Sequence, residues 1–214
     1  MWARSAFALP DERDETPELK LYFAPRTRAT HPRWMLEELG VPYEIVTVDL
    51  DAKENREPGY LRMHPLGRVP VLVDGDITVF ESIAICMYLA DKCAERGLAP
   101  PVASPFRAPY YQWLLFCAST IEPAIGRWAQ HGGDVAEAER EKARARFDEA
   151  TEVLTGVLAS GGHMLGEAFS TVDVIVGSNL NWARRVGLLE GRHVLSGYVD
   201  RLLARPAALR AFGA

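Results

Sequence analysis

Cysteine is scarce in this 214-residue chain: Cys86, Cys93 and Cys117 are the only three, and none forms a Cys-x-x-Cys pair. So odd and scattered a set excludes a disulfide scaffold and suits free thiols in a reducing compartment, so a cytoplasmic protein is expected. Histidine is sparse too, at positions 31, 64, 131, 163 and 193, with no two at metal-ligand spacing, and no metal is expected. Basic charge is in deficit, with 24 Lys and Arg against 29 Asp and Glu, which argues against a nucleic-acid footprint. No apolar run approaches the roughly eighteen residues of a membrane span. The start of the chain lacks the basic and apolar regions of a secretory signal, carrying Asp11, Glu12, Asp14, Glu15 and Glu18 instead. Residues 1–18 are expected to be a polar N-terminal extension.

What is present is ordered. Lys20–Phe23 is β-prone and ends before Pro25; Pro32 suits a first helical turn, and Trp34, Met35, Leu36 and Leu39 then recur at helical spacing up to Gly40. Residues 43–48 are β-prone again, which predicts a right-handed βαβ unit with parallel strands. After an irregular helical stretch over 51–63, Val71–Val73 and Thr78–Phe80 flank Asp74-Gly75, a hairpin signal that Asp76 could lengthen. A helix follows from Ser82, with Ile83, Cys86, Met87 and Ala90 on its apolar face, and ends near Gly97. The order βαβαββα is that of a thioredoxin-like domain over 19–97. Pro-rich residues 98–105 read as a linker, and 106–214 as an all-helical domain, so the fold class is α/β plus all-α. In that second half Phe147, Ala150, Leu154 and Leu158 mark a core stripe, and Arg144 can pair with Asp148. Asp134 with Glu137, and Ser170 with Asp173, resemble capping boxes that serve folding.

Three local features carry chemistry. Ala24-Pro25-Arg26-Thr27-Arg28 places a hydroxyl between the first strand and the first helix. His64-Pro65-Leu66-Gly67-Arg68-Val69-Pro70 leads into the hairpin. Glu81-Ser82 stands where the last strand turns into a helix. Each is weak alone, and their order within one frame is the stronger signal.

With LYFAPRTRATHPRWMLEELG, GRVPVLVDG and FESIAICMYLADK on the page, the chain resembles bacterial cytosolic glutathione S-transferases over about residues 19–212. The helical half is similar as well, through YYQWLLFCASTIEPAI, FSTVDVIVGSNL and YVDRLLARPA. The resemblance implies glutathione as co-substrate, a small electrophilic substrate, a homodimer and a role in detoxification. It implies Thr27, with Arg28 beside it, at the sulfur, where the family usually has Ser, Tyr or Cys. Val69 and Pro70 would pair with the cysteinyl unit, Glu81 and Ser82 would hold the γ-glutamyl end, and Arg68, helped by His64, would meet the glycyl carboxylate. The electrophile would lie between Pro25–Arg26 and a helix carrying Phe116, Ser119, Glu122 and Pro123, with Trp128. His64-Pro65 replaces the family's common Asn-Pro.

The chemistry needed is definite. An unperturbed thiol titrates near ~8.5, so only a few per cent is thiolate at neutral pH. Lowering that by about two units takes roughly 2.7 kcal/mol of preference for the anion. A hydrogen bond to a charged group contributes about 1.5–3 kcal/mol, and a helix N-terminus about 0.3–1. Thr27 otherwise caps the helix that follows it. A glutathione-dependent isomerase or peroxidase would share the sulfur-activating step. A thiol–disulfide reductase of this fold would want Cys near position 27, and none is there. A non-enzymatic adaptor on this fold is the other alternative: such proteins typically erode the thiol-binding positions, and Val69, Pro70, Glu81 and Ser82 remain, while Thr27 in place of the usual residue keeps that reading open. Phe106, Tyr110, Tyr111 and Trp113 exceed the needs of one small core and are expected at a dimer face.

Overall fold

A computed structural model of the chain describes residues 18–130 and 137–213. The residues before 18, and Asp134 of the expected capping pair, lie outside the described residues. Strand β1 (Leu19–Phe23) leads to helix α1 (Thr30–Leu39) and strand β2 (Glu44–Thr47), which pairs with β1 in parallel as expected. Gly40 ends α1 at φ 64°, a conformation that costs glycine nothing, and its N–H caps the Leu36 carbonyl. The irregular stretch resolves into a 3₁₀ turn at Glu54–Arg56 and a short α2 (Pro58–Met63). Strands β3 (Val71–Asp74) and β4 (Ile77–Phe80) form the hairpin. Asp74 itself pairs with Ile77, so the turn is Gly75-Asp76, with Gly75 at φ 55°, one residue later than Asp74-Gly75. The sheet order is β2-β1-β3-β4, with β3 antiparallel to both neighbours.

Helix α3 (Ser82–Lys92) packs on this sheet, and from Arg107 onward the described residues form helices joined by loops. Helix α4 (Arg107–Phe116) runs through a π-helical stretch at Cys117–Ile121 into α5 (Glu122–Ala129), followed by α6 (Glu137–Leu158), α7 (Thr171–Arg185), α8 (His193–Leu203) and α9 (Pro206–Phe212). The expected α6 stripe is buried at all four positions, and Arg144 Nε lies 3.7 Å from Asp148. One placement corrects the dimer-face reading: Tyr110 is fully buried within its own chain, and Trp113 packs partly buried against that core. An aromatic at helical spacing was filling this core rather than a partner's.

The two halves share one continuous apolar core, from Leu21 and Trp34 to Val176 and Leu202. Gly177 on α7 lies against α1 and α8, where a Cβ would meet Leu202 Cδ1 at 2.5 Å and Trp34 at 3.6 Å. Ion pairs clamp the same junction: the Arg205 fork donates to both oxygens of Glu38 at 2.7 and 2.8 Å, and Trp34 Nε1 donates to Glu38 at 2.9 Å. Buried Arg107 likewise donates to both oxygens of Asp91 and to the Pro100 carbonyl, tying α3, the 98–105 segment and α4 together. A rigid junction matters because the cleft described next opens between the two halves.

Candidate active site

A cleft of about 570 Å³ lies between the β1–α1 loop, the segment before β3, helix α7 and the end of the chain. The β1–α1 loop turns sharply there, with Arg26 at φ 59°, a strained conformation for a residue with a side chain. Pro25, Thr27 and Arg28 line the cleft from this loop, and Arg68 and Val69 from the other side. The Thr27 hydroxyl donates to the Ala24 carbonyl at 2.6 Å and accepts from the Ala29 N–H at 3.2 Å. Ala29, not Thr27, is the N-cap of α1, so the hydroxyl orders the loop two residues earlier than a cap would. Arg28 forms an ion pair with Glu122 at the start of α5. Glu122 is buried, and burial pushes its carboxyl above the usual range; nearby Glu81 pushes the same way, and Arg28 opposes both.

Val69 precedes a cis bond to Pro70, and among the described residues neither its N–H nor its carbonyl has a hydrogen-bond partner. An extended peptide could therefore add to it as a strand. The support beneath Val69 was not apparent in the sequence. Asn55 Nδ2 donates to the Gly67 carbonyl at 2.6 Å, Arg56 to Leu66 at 3.1 Å, and Tyr60 Oη to the Arg68 carbonyl at 2.8 Å. Gly67 is at φ 55°, where a Cβ would come within 2.5 Å of the Asn55 carbonyl. That close approach explains a glycine between Leu66 and Arg68.

Glu81 is at φ 73° and opens α3 without a side-chain cap; Ser82, the first helical residue, is buried, and its hydroxyl has no partner among the described residues. Both stand outside the cleft lining, on the side where Glu81 approaches Glu122. His64 is buried against Phe80, with ring centroids 4.7 Å apart, and its Nδ1 accepts from the Leu66 N–H at 3.2 Å. Burial lowers its pKa first, nearby Glu81 raises it and Arg68 lowers it, so it is mainly neutral and shapes the loop.

The helix expected to wall the electrophile divides. Phe116, Ser119 and Pro123 face a separate cavity of about 540 Å³ against α6. Trp128 donates to the Val186 carbonyl at 3.0 Å with Arg140 over its ring. Only Glu122 of this set reaches the cleft's neighbourhood, through Arg28. The wall opposite the loop comes instead from Ser178, Asn179, Trp182 and Arg185 of α7 and from Phe212. The signal for them was a run of polar residues, Ser178, Asn179 and Asn181, just after the apolar stretch Val174–Val176 of α7.

The glutathione S-transferase N-terminal domain matches residues 17–91, and the family's C-terminal domain matches residues 137–212. The chain belongs to the glutathione S-transferase family. It is 31% identical over 203 residues to glutathione S-transferase 3 of Zea mays, covering 88% of this chain and 90% of that protein. It is 28% identical to the disulfide-bond oxidoreductase YfcG of Escherichia coli, covering 88% and 92%. A sphingomonad glutathione S-transferase solved with glutathione superposes with a TM-score of 0.81 at 28% identity, over 91% of this chain and 97% of that one. The fold, a thioredoxin-like four-stranded half and an all-helical half, is this family's.

Proposed function

We propose that this glutathione transferase holds the glutathione thiol at Thr27 and delivers it as thiolate to an electrophile in the cleft. The observation that carries the reading is that Thr27 and Val69 line one cleft, with the Val69 backbone unpaired among the described residues. The Val69 backbone pairs with the cysteinyl unit, Ser82 and Glu81 take the γ-glutamyl carboxylate and ammonium, and Arg68 takes the glycyl carboxylate. Arg28 sets the local potential through its pair with Glu122. The protein's own thiols are unsuited, because Cys86, Cys93 and Cys117 are all buried and burial raises each of them. The reacting sulfur belongs to glutathione.

To donate to a thiolate, the Thr27 hydroxyl rotates away from the Ala24 carbonyl. Thr27→Val removes that donor and is expected to lower turnover of a generic aryl halide at pH 6.5 by about tenfold, equivalent to ~1.4 kcal/mol. The deficit should shrink at pH 9, where hydroxide supplies thiolate unaided, and Thr27→Ser should keep most activity. PH–rate profiles of both variants, with melting temperatures as the folding control, check this. Unchanged profiles would leave Thr27 a loop-ordering residue. Failure of the wild-type protein both to be retained on immobilised glutathione and to turn over an aryl halide would sink the whole reading.

The E. coli relative's name favours testing a second reaction at the same site that needs no protein cysteine: the glutathione thiolate attacks one sulfur of a disulfide substrate, the S–S bond breaks, and a mixed disulfide forms as the other half leaves as thiolate. Turnover of hydroxyethyl disulfide alongside the aryl halide separates the two. The protein acts in the cytoplasm, in detoxification, with its domain boundary at 98–105. Phe106, Leu115, Leu66 and Phe80 are exposed and support a homodimer. Light scattering at micromolar concentration should give twice the mass of one chain; the mass of one chain would count against it.

A further inference from the structure

The cleft is lined by Arg26, Arg28, Arg56, Arg68 and Arg185 and, among the described residues, by no Asp, Glu or Lys. Glutathione, on the assignment above, accounts for only part of this charge. Arg28 is committed to Glu122, Arg56 to the Leu66 carbonyl and Arg68 to the glycyl carboxylate. Arg26 and Arg185 remain, both exposed, and neither makes a hydrogen bond or ion pair with the described residues. They come from opposite walls, one from the β1–α1 loop and one from α7.

Two buried polar residues that line this cleft also carry side-chain atoms without a partner among the described residues. His31 on α1 and Ser178 on α7 are each only 6% exposed, both line the cleft, and His31 Nδ1 and Ser178 Oγ have no hydrogen-bond partner among the described residues. Buried polar groups are almost always hydrogen-bonded, so two left open at one cleft point to a ligand that completes them. Burial foremost, and then Arg28, lowers the His31 pKa to about 4, so at neutral pH the ring is uncharged and keeps one N–H to donate. Phe23, Trp182 and Phe212 supply the apolar part of the wall.

We propose that the second substrate is a carboxylic acid with an aromatic or similarly apolar body, its carboxylate held by Arg26 and Arg185 and by the Ser178 and His31 donors. This rests on the glutathione transferase reading and narrows its substrate class. Positive charge beyond what glutathione neutralises selects an anion, and the buried polar groups of His31 and Ser178 add hydrogen bonds that fix its position.

The test is a matched pair: a chloronitrobenzoate and the uncharged chloronitrobenzamide of the same ring. Each kcat/KM is divided by that compound's uncatalysed rate with glutathione. The acid should be preferred by about tenfold or more, equivalent to ~1.4 kcal/mol. The preference should shrink as salt is raised and vanish in the Arg26→Gln/Arg185→Gln variant, with the KM for glutathione unchanged. Ser178→Ala should lower the acid's value selectively. Equal normalised rates, or a preference that survives the double variant, would overturn the proposal. If neither compound turns over, calorimetry with the two chemically prepared glutathione conjugates decides. Tighter binding of the acid conjugate supports it; equal binding overturns this inference alone, and no binding of glutathione or either conjugate overturns the transferase reading as well.

Discussion

Replacing Asp173 by Ala is expected to destabilise the folded chain by about 3–5 kcal/mol, the largest single-residue effect anticipated here. Asp173 is fully buried at the third position of α7 and serves four donors. Its Oδ1 accepts from the Met164 N–H at 2.9 Å and from Tyr198 Oη at 2.7 Å; its Oδ2 accepts from the Ser170 N–H at 2.8 Å and Ser170 Oγ at 3.0 Å. The Ser170–Asp173 pair forms a reciprocal capping box at the N-terminus of α7, where a carboxylate also meets the favourable end of the helix dipole. Alanine leaves those donors buried without an acceptor. Because Met164 belongs to the loop before α7 and Tyr198 to α8, the loss is felt across the helical half rather than at one helix end. Asp173→Asn keeps one acceptor oxygen and should lose roughly half as much; Ser170→Ala should cost about 1 kcal/mol. Urea unfolding measures all three, and an Asp173→Ala loss under ~1 kcal/mol would show that water completes this network.

The capping box was legible from sequence because every signal in it is local: a hydroxyl, a carboxylate three residues on, then an apolar run. The same holds for the βαβ unit, Gly40, the α6 stripe and the Thr27, Val69 and Ser82 segments, each defined within a few residues. Three things were not legible, for one reason. Tyr110 reads as surplus apolar area until α7 is placed beside it. The Arg28–Glu122 pair joins residues far apart in sequence, so neither charge advertises its partner. Phe116, Ser119 and Pro123 share a face with one another, but which neighbour that face meets, α6 rather than the β1–α1 loop, depends on how α4 turns through the π-helical stretch at Cys117–Ile121. Spacing within a helix gives relative directions only. The absolute direction is fixed by packing, and so the wall of the cleft that α7 supplies emerged only with the fold.

Ser82→Ala should raise the Kd for glutathione by about tenfold to a hundredfold, the loss of one charge-assisted hydrogen bond of roughly 1.5–3 kcal/mol. Ser82 begins α3, where first-turn backbone N–H groups have no carbonyl one turn back and the dipole is positive. Its hydroxyl is uncommitted among the described residues, and Glu81 immediately before it holds a strained φ of 73°. Strain at that position is sustained by the surrounding structure, and it turns the chain so that carboxylate and hydroxyl come from consecutive residues. A free α-amino acid end, carrying an ammonium and a carboxylate, matches that order. Because Ser82 makes no bond that folding needs, Ser82→Ala should melt within about 0.5 kcal/mol of the wild type, and Ser82→Thr should retain affinity if the extra methyl fits. Calorimetry with reduced glutathione, repeated with a γ-glutamyl-free analogue (cysteinylglycine), localises the effect. The analogue should bind weakly to both proteins and show no difference between them. Equal glutathione affinity in folded Ser82→Ala would move the γ-glutamyl end away from α3, to the Arg28–Glu122 pair.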